Sequence, residues 1–148
     1  MTHDRIRALQ SSRGFTLIEI LVVVVIIGIL AAVVVPRFMD EPDQARAVKA
    51  RQDVEAIVTA LNMYRLDNSV YPSTQQGLEA LVERPTGRPE APNWKEGGYL
   101  DRLPNDPWGR PYLYLNPGLN GDIDVWSNGA NGQAGGEGIN AEIGNWSD

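Results

Sequence analysis

Few side chains in this chain have the type and spacing to do chemistry. Glu19 is the first. It sits inside an apolar run from Phe15 to Val35, 21 residues in which only it and Thr16 are polar. A charge in hydrocarbon costs about 2.5–3.5 kcal/mol even on the mild insertion scale. The plain reading is an anchor that tolerates one acid near its end; the sharper reading gives Glu19 a partner inside the membrane. The single histidine is His3 and there is no cysteine. A Ser-His-Asp site is therefore excluded downstream of the first residues, as are thiol catalysis and a histidine-rich metal site. Asp122 and Asp124 could pair as acids, but they stand beside a turn and read as solvating residues or as part of the following loop. That loop, residues 128–142, is rich in glycine and in oxygen donors. From composition alone it is a flexible surface loop with ordinary turn asparagines. No enzyme is expected.

The element that must position Glu19 is a helix. At 1.5 Å per residue the apolar run would reach roughly 30 Å, the thickness of a bilayer's hydrocarbon core. Residues 1–14 carry Arg5, Arg7 and Arg13 against Asp4. Positive flanks stay cytoplasmic, so the larger C-terminal part is expected outside. An ordinary secretory signal has the same layout. Here, however, the run is too long for such a signal, and Leu30-Ala31-Ala32-Val33 lacks a clean small-x-small cleavage site.

The whole chain has 148 residues and a formal charge of −6. Beyond the anchor this allows one modest domain. Setting aside the first 14 residues removes three arginines and one aspartate, which leaves ten basic and eighteen acidic side chains. So acidic a surface argues against nucleic acid as a partner. Without cysteines an exported domain has no disulfide to pin its loops.

Three regions follow. The first reads as one long helix from about Phe15 into the sixties, bent at Pro36 and loosened again at Glu41-Pro42-Asp43. In its second half, about residues 43–66, Val54, Ile57, Val58, Leu61 and Tyr64 recur at helical spacing and form a core stripe. Arg46, Lys49, Arg51, Asp53, Glu55 and Arg65 fill the polar side. The second region, 67–111, is loop-rich: eight of the ten prolines lie between Pro72 and Pro117. Within it, residues 74–82 read as a short helix that Thr74 can cap, with Leu78, Leu81 and Val82 facing inward. Asn105-Asp106-Pro107-Trp108-Gly109 is a turn. Trp94, Tyr99 and Trp108 read as packing residues. The third region, 112–148, is β-rich. Residues 111–115 and 123–127 form two strands across an Asn-Pro-Gly turn, with a third near Gly138–Ile143. In the second strand Ile123 and Val125 point one way, Asp124 and Trp126 the other. A small antiparallel sheet on the amphipathic half-helix would cover its stripe, an α+β arrangement.

Gly14-Phe15-Thr16-Leu17-Ile18-Glu19 resembles the prepilin peptidase site of type IV pilins and type II secretion pseudopilins. The resemblance implies cleavage of a 1–14 leader between Gly14 and Phe15, and N-methylation of Phe15. It implies a pilin-like fold with a filament-core helix at 15–35 and a periplasmic domain at 36–148. It also implies that Glu19 pairs with the N-terminal ammonium of a neighbouring subunit, giving an otherwise penalised charge its partner. Phe15, Glu19 and Pro36 are then the assembly residues. Gly28 and Ala32, four apart, offer a small-residue face for close helix approach, or simply ordinary anchor composition.

Further residues narrow the resemblance. Tyr71-Pro72, Thr74, Gln76-Gly77-Leu78, Ala80-Leu81, Gly98-Tyr99-Leu100, Leu103-Pro104, Asp106-Pro107-Trp108-Gly109 and Ile143-Gly144-Asn145-Trp146 resemble the major pseudopilins of type II secretion. That family closes its C-terminal loop with calcium, where type IV pilins usually use a disulfide. Carried onto this chain, the implied ligands are the backbone carbonyl of Asn128 and the side chains of Asn131, Glu137 and Asn140, with Asp124 and Glu142 in reserve. Calcium takes six to eight such oxygens. Asn131 stands where the family pattern usually has Asp, which implies weaker attraction or compensation elsewhere. The implied function is a single-pass inner-membrane subunit that polymerises into a short periplasmic filament driving protein export across the outer membrane. The implied partners are copies of itself, minor pseudopilins, the prepilin peptidase and the inner-membrane secretion platform. Two alternatives remain: an adhesive or motility pilin, and an anchored periplasmic module that never polymerises.

Overall fold

The computed structural model describes residues 14–38 and 41–147. Residues 1–13, most of the expected leader, lie outside the described residues. The chain divides into two compact units, residues 1–39 and 40–148.

The first unit holds α1, Leu17–Phe38. Its run of β-branched and leucine residues has no polar face, and Phe15 to Leu30 present their apolar side chains outward. Side chains are described only as far as Ala32. Among the described residues, no helix is long and apolar enough to cross a membrane. Pro36 lies within α1, with its side chain outside the described residues.

The second unit opens with α2, Glu41–Asn68. The long helix expected from sequence is described in two parts, α1 and α2, and residues 39–40 between them lie outside the described residues. Glu41, Pro42 and Asp43 are all helical, within α2. Ion pairs one turn apart, Arg46 to Asp43 at 2.9 Å and Lys49 to Asp53 at 2.7 Å, lie on its exposed side.

The inward stripe of α2 forms the core as its spacing requires. Val54, Ile57, Ala60, Leu61 and Tyr64 are buried, and Val58 packs against them half-exposed. Leu78, Ala80 and Leu81, from a 3-10 turn at Leu78–Leu81, join the same cluster. No α-helix forms across 74–82, and Thr74 caps nothing. Its hydroxyl instead donates to the Asn116 carbonyl at 3.0 Å and accepts the Asn116 N–H at 2.9 Å. A bond to a distant turn has displaced a local cap.

Three strands cover the stripe: β1 Leu113–Leu115, β2 Asp124–Ser127 and β3 Ile143–Gly144. They form an antiparallel sheet in the order β1-β2-β3. Leu113 faces Trp126 and Leu115 faces Asp124; Trp126 faces Gly144. The third strand falls later than expected, since Gly138–Asn140 is a 3-10 turn. The architecture is an α+β fold, with a helix on a small antiparallel sheet and loops packed at its side. In that loop layer Trp94 donates from Nε1 to the Ala80 carbonyl at 2.8 Å and meets Tyr99 edge-on at 6.2 Å. Gln76 donates from one amide to the carbonyls of Thr86 and Pro89.

Candidate functional site

Two places hold the residues singled out from sequence: the start of α1, and the loop between β2 and β3. They belong to different units and are described separately.

At the start of α1, Thr16 and Glu19 cap the helix. The Glu19 N–H donates to Thr16 Oγ1 at 3.3 Å, and the Thr16 N–H lies 3.5 Å from Glu19 Oε2. This reciprocal arrangement is a capping box: the first helical N–H groups have no acceptor one turn back, and these two side chains supply acceptors. The Thr-x-x-Glu spacing carried this signal, and the reading of Glu19 as a membrane acid passed over it. At 3.5 Å the carboxylate's own bond is weak. Glu19 and Phe15 are both exposed. A Cβ added at Gly14 or at Gly28 would meet nothing within 4 Å.

The second place is built outward from Asp106. This carboxylate is buried, with 2% of its side chain exposed. Oδ1 accepts the N–H groups of Trp108 at 3.1 Å and Arg110 at 2.8 Å, which fixes the turn. Oδ2 accepts the hydroxyl of Ser127 at 2.6 Å, and Ser127 Oγ in turn accepts the Gly129 N–H at 3.2 Å. Arg110 Nε lies 3.5 Å from the same Oδ2. Three N–H or O–H donors and a guanidinium satisfy a charge that would otherwise be costly to bury. Asp106 thus ties the turn before β1 to the end of β2, where the loop begins.

The loop then folds back on itself. The Ala130 N–H donates to the Ile139 carbonyl at 2.9 Å, and the Gly135 N–H to Glu142 Oε1 at 3.0 Å. Gly129 permits the crossing: its φ is 69°, and a Cβ there would stand 2.6 Å from the Ala141 carbonyl. Asn131 Oδ1 accepts the Gln133 N–H at 3.0 Å. Asn128 spends its side chain on structure, accepting from Trp126 Nε1 at 3.0 Å. Its backbone carbonyl, the atom named as a ligand, is a separate matter and has no competing donor among the described bonds. Trp126 meets Trp146 at 5.9 Å between ring centroids.

Asp124 does not join this loop. It is 2% exposed, against the outward direction read from strand alternation. Its carboxylate accepts the N–H groups of Leu119 and Asn120 and the side-chain amide of Asn120, at 2.8–3.2 Å. Bound by the β1–β2 turn, it is withdrawn as a reserve ligand. Beyond the strand, the Asn145 side chain extends the sheet: Oδ1 accepts the Val125 N–H at 2.8 Å and Nδ2 donates to the Ile123 carbonyl at 2.9 Å.

The donor set left in the loop is the Asn128 carbonyl, Asn131, Glu137, Asn140 and Glu142. Among the described residues no three acidic, histidine or cysteine side chains cluster as a metal site. Any ion here would rest mainly on amide and carbonyl oxygens. All of these are hard donors, which suits calcium and does not suit a softer transition metal. On donor chemistry and on the back-folding of the loop, the residues fit such an ion.

Residues 37–146 match the family described as type II secretion system (T2SS), protein G, and residues 9–35 match the prokaryotic N-terminal methylation motif. The chain is 61% identical over 137 residues to the type II secretion system core protein G of Pseudomonas aeruginosa, covering 93% of this chain and 96% of the relative. It is 56% identical over 140 residues to the protein of the same name from Vibrio cholerae, covering 95% of each. The crystal structure of the major pseudopilin from the type 2 secretion system of enterohaemorrhagic Escherichia coli superposes with a TM-score of 0.67 at 48% identity, over 73% of this chain and 88% of that one. None of these relatives bears an enzyme's name. With a helix-on-sheet domain, a methylation motif ahead of it and relatives matched over nearly their full length, the chain belongs to the type II secretion protein G family, the major pseudopilins.

Proposed function

We propose that this chain is the polymerising subunit of a periplasmic pseudopilus that moves proteins across the outer membrane. The leader 1–14 is removed between Gly14 and Phe15, and Phe15 is N-methylated. Residues 15–35 anchor the subunit in the inner membrane, N-terminus inward, before it joins the filament. Prepilin peptidase, the inner-membrane secretion platform and minor pseudopilins are its partners. Family membership supports this reading, and one feature carries the assembly step: an acid at the mouth of an apolar helix whose carboxylate has, among the described residues, a single weak bond, from the Thr16 N–H at 3.5 Å. A neighbour's N-terminal ammonium would bind that carboxylate far more strongly than the Thr16 N–H does.

Each α1 then packs its apolar surface against other copies; the bilayer already keeps that surface from water, so close packing and the Glu19 pairing favour the association. The contact is head-to-tail, so it propagates instead of closing. Pro36 would set the helix direction where it leaves the filament core. The loop at 128–142 would take calcium through the Asn128 carbonyl, Asn131, Glu137 and Asn140, with Glu142 in reserve. The ion would supply the cross-link that the absent cysteines do not.

The test is Glu19→Ala in a secreting strain. We expect normal N-terminal processing by mass spectrometry, with loss of filaments and of secretion. Filaments at the wild-type level would refute the pairing.

A further inference from the structure

We infer that Arg110 is a positioning residue for the calcium loop: an internal cation that arranges its leading half, Gly129–Gly132, before any metal arrives. This rests on the calcium reading above and adds a residue to it.

The geometry is specific. Arg110 follows the turn that Asp106 organises, and the two are locked together. The Asp106 N–H donates to the Arg110 carbonyl at 2.6 Å while Asp106 Oδ1 accepts the Arg110 N–H at 2.8 Å. From this fixed base the side chain reaches across to the loop. Nη2 donates to the Gly129 carbonyl, and both Nη1 and Nη2 lie 3.5 Å from the Ala130 carbonyl. The guanidinium rests on the Cα of Gly132, where φ is 70° and a Cβ would collide with it. Two consecutive carbonyls that would otherwise face a cation or water are thus held by a planar fork.

Two opposing effects bear on a metal beside this group. A positive guanidinium repels a divalent ion. Its charge is answered within the same network by the buried Asp106 carboxylate, 3.5 Å from Nε, so little of the repulsion survives. The ordering effect is larger. A glycine-rich segment loses the most backbone freedom when fixed, and an ion that must fix it alone binds more weakly. With the leading half already held, the ion need order only the segment that brings Glu137, Asn140 and Glu142.

The test uses the full chain in detergent, comparing wild type with Arg110→Ala and Arg110→Lys. Two measurements are made: amide exchange at Ala130 in a calcium chelator, and calcium titration followed by tryptophan fluorescence, which Trp126 reports through its bond to Asn128. For Arg110→Ala we expect about tenfold lower protection of Ala130 in chelator and about tenfold weaker calcium binding. Arg110→Lys, which keeps the charge but not the fork, should recover part of both. Wild-type calcium affinity in Arg110→Ala, or unchanged protection in chelator, would overturn the assignment while leaving the calcium reading intact. A wild-type chain that shows no response to calcium by fluorescence or exchange would sink the calcium reading instead.

Discussion

Ser127 Oγ donates to Asp106 Oδ2 across 2.6 Å, and both residues are buried. The bond joins the turn before β1 to the last residue of β2, 21 positions apart. Ser127→Ala should cost about 1–2 kcal/mol, since it also frees the Gly129 N–H. Asp106→Ala should cost about 3 kcal/mol or more, because it strands Ser127, two backbone N–H groups and the Arg110 charge together. The double variant should be less damaging than the two costs added, as both remove one network. Urea unfolding of the four proteins measures this, and strict additivity would show that the network does not act as a unit.

Tyr112 donates to Asp53 Oδ2 at 3.0 Å, tying β1's leading end to α2. Burial, and then the neighbouring Asp53 carboxylate, push its hydroxyl pKa well above the usual tyrosine value. The folded state therefore keeps a proton that the unfolded chain loses near pH 10. Stability from this group is complete below that pH and falls as pH rises further. Tyr112→Phe should lower stability by about 1 kcal/mol at neutral pH and make the alkaline decline shallower. Unfolding midpoints on either side of pH 10 check both signs; parallel declines would exclude Tyr112 as a source.

Leu61 is fully buried in the α2 stripe, and Leu66, five residues later on the same helix, is 82% exposed. Leu61→Ala should cost about 2–5 kcal/mol through lost burial and the cavity left behind. Leu66→Ala should stay within about 0.5 kcal/mol in the isolated subunit. Thermal melts of the two variants at low concentration make the comparison.

Asp124 holds the β1–β2 turn with both carboxylate oxygens. Asp124→Ala should lower stability by about 2–3 kcal/mol, as it leaves two backbone N–H groups without their acceptor. The calcium response of the folded variant should be that of the wild type. A lost response at full folding would return Asp124 to the ligand set.

What was legible before the fold was known came from periodicity and from local rules. The α2 stripe, the apolar run around Glu19, the turn at Asn105–Gly109 and two of the strands follow from spacing and turn chemistry, which act over a few residues. The Thr16–Glu19 box follows from the same kind of local rule, Thr-x-x-Glu ahead of an apolar run. Other features turned on partners far along the chain. Thr74 was expected to cap a helix and instead serves Asn116, 42 residues away. Asp124 was expected to face outward by strand alternation, but donors in the preceding turn make burial affordable for it. Arg110 carries no sequence signal at all. Its role arises because Asp106 fixes its backbone beside a loop 19 residues later. The sequence by itself determined the apolar helix with its acid, the α2 helix and its inward face, and two of the three strands. The tertiary structure alone decided which polar groups are satisfied by one another, because a buried donor takes whatever acceptor the fold brings within 3 Å or so.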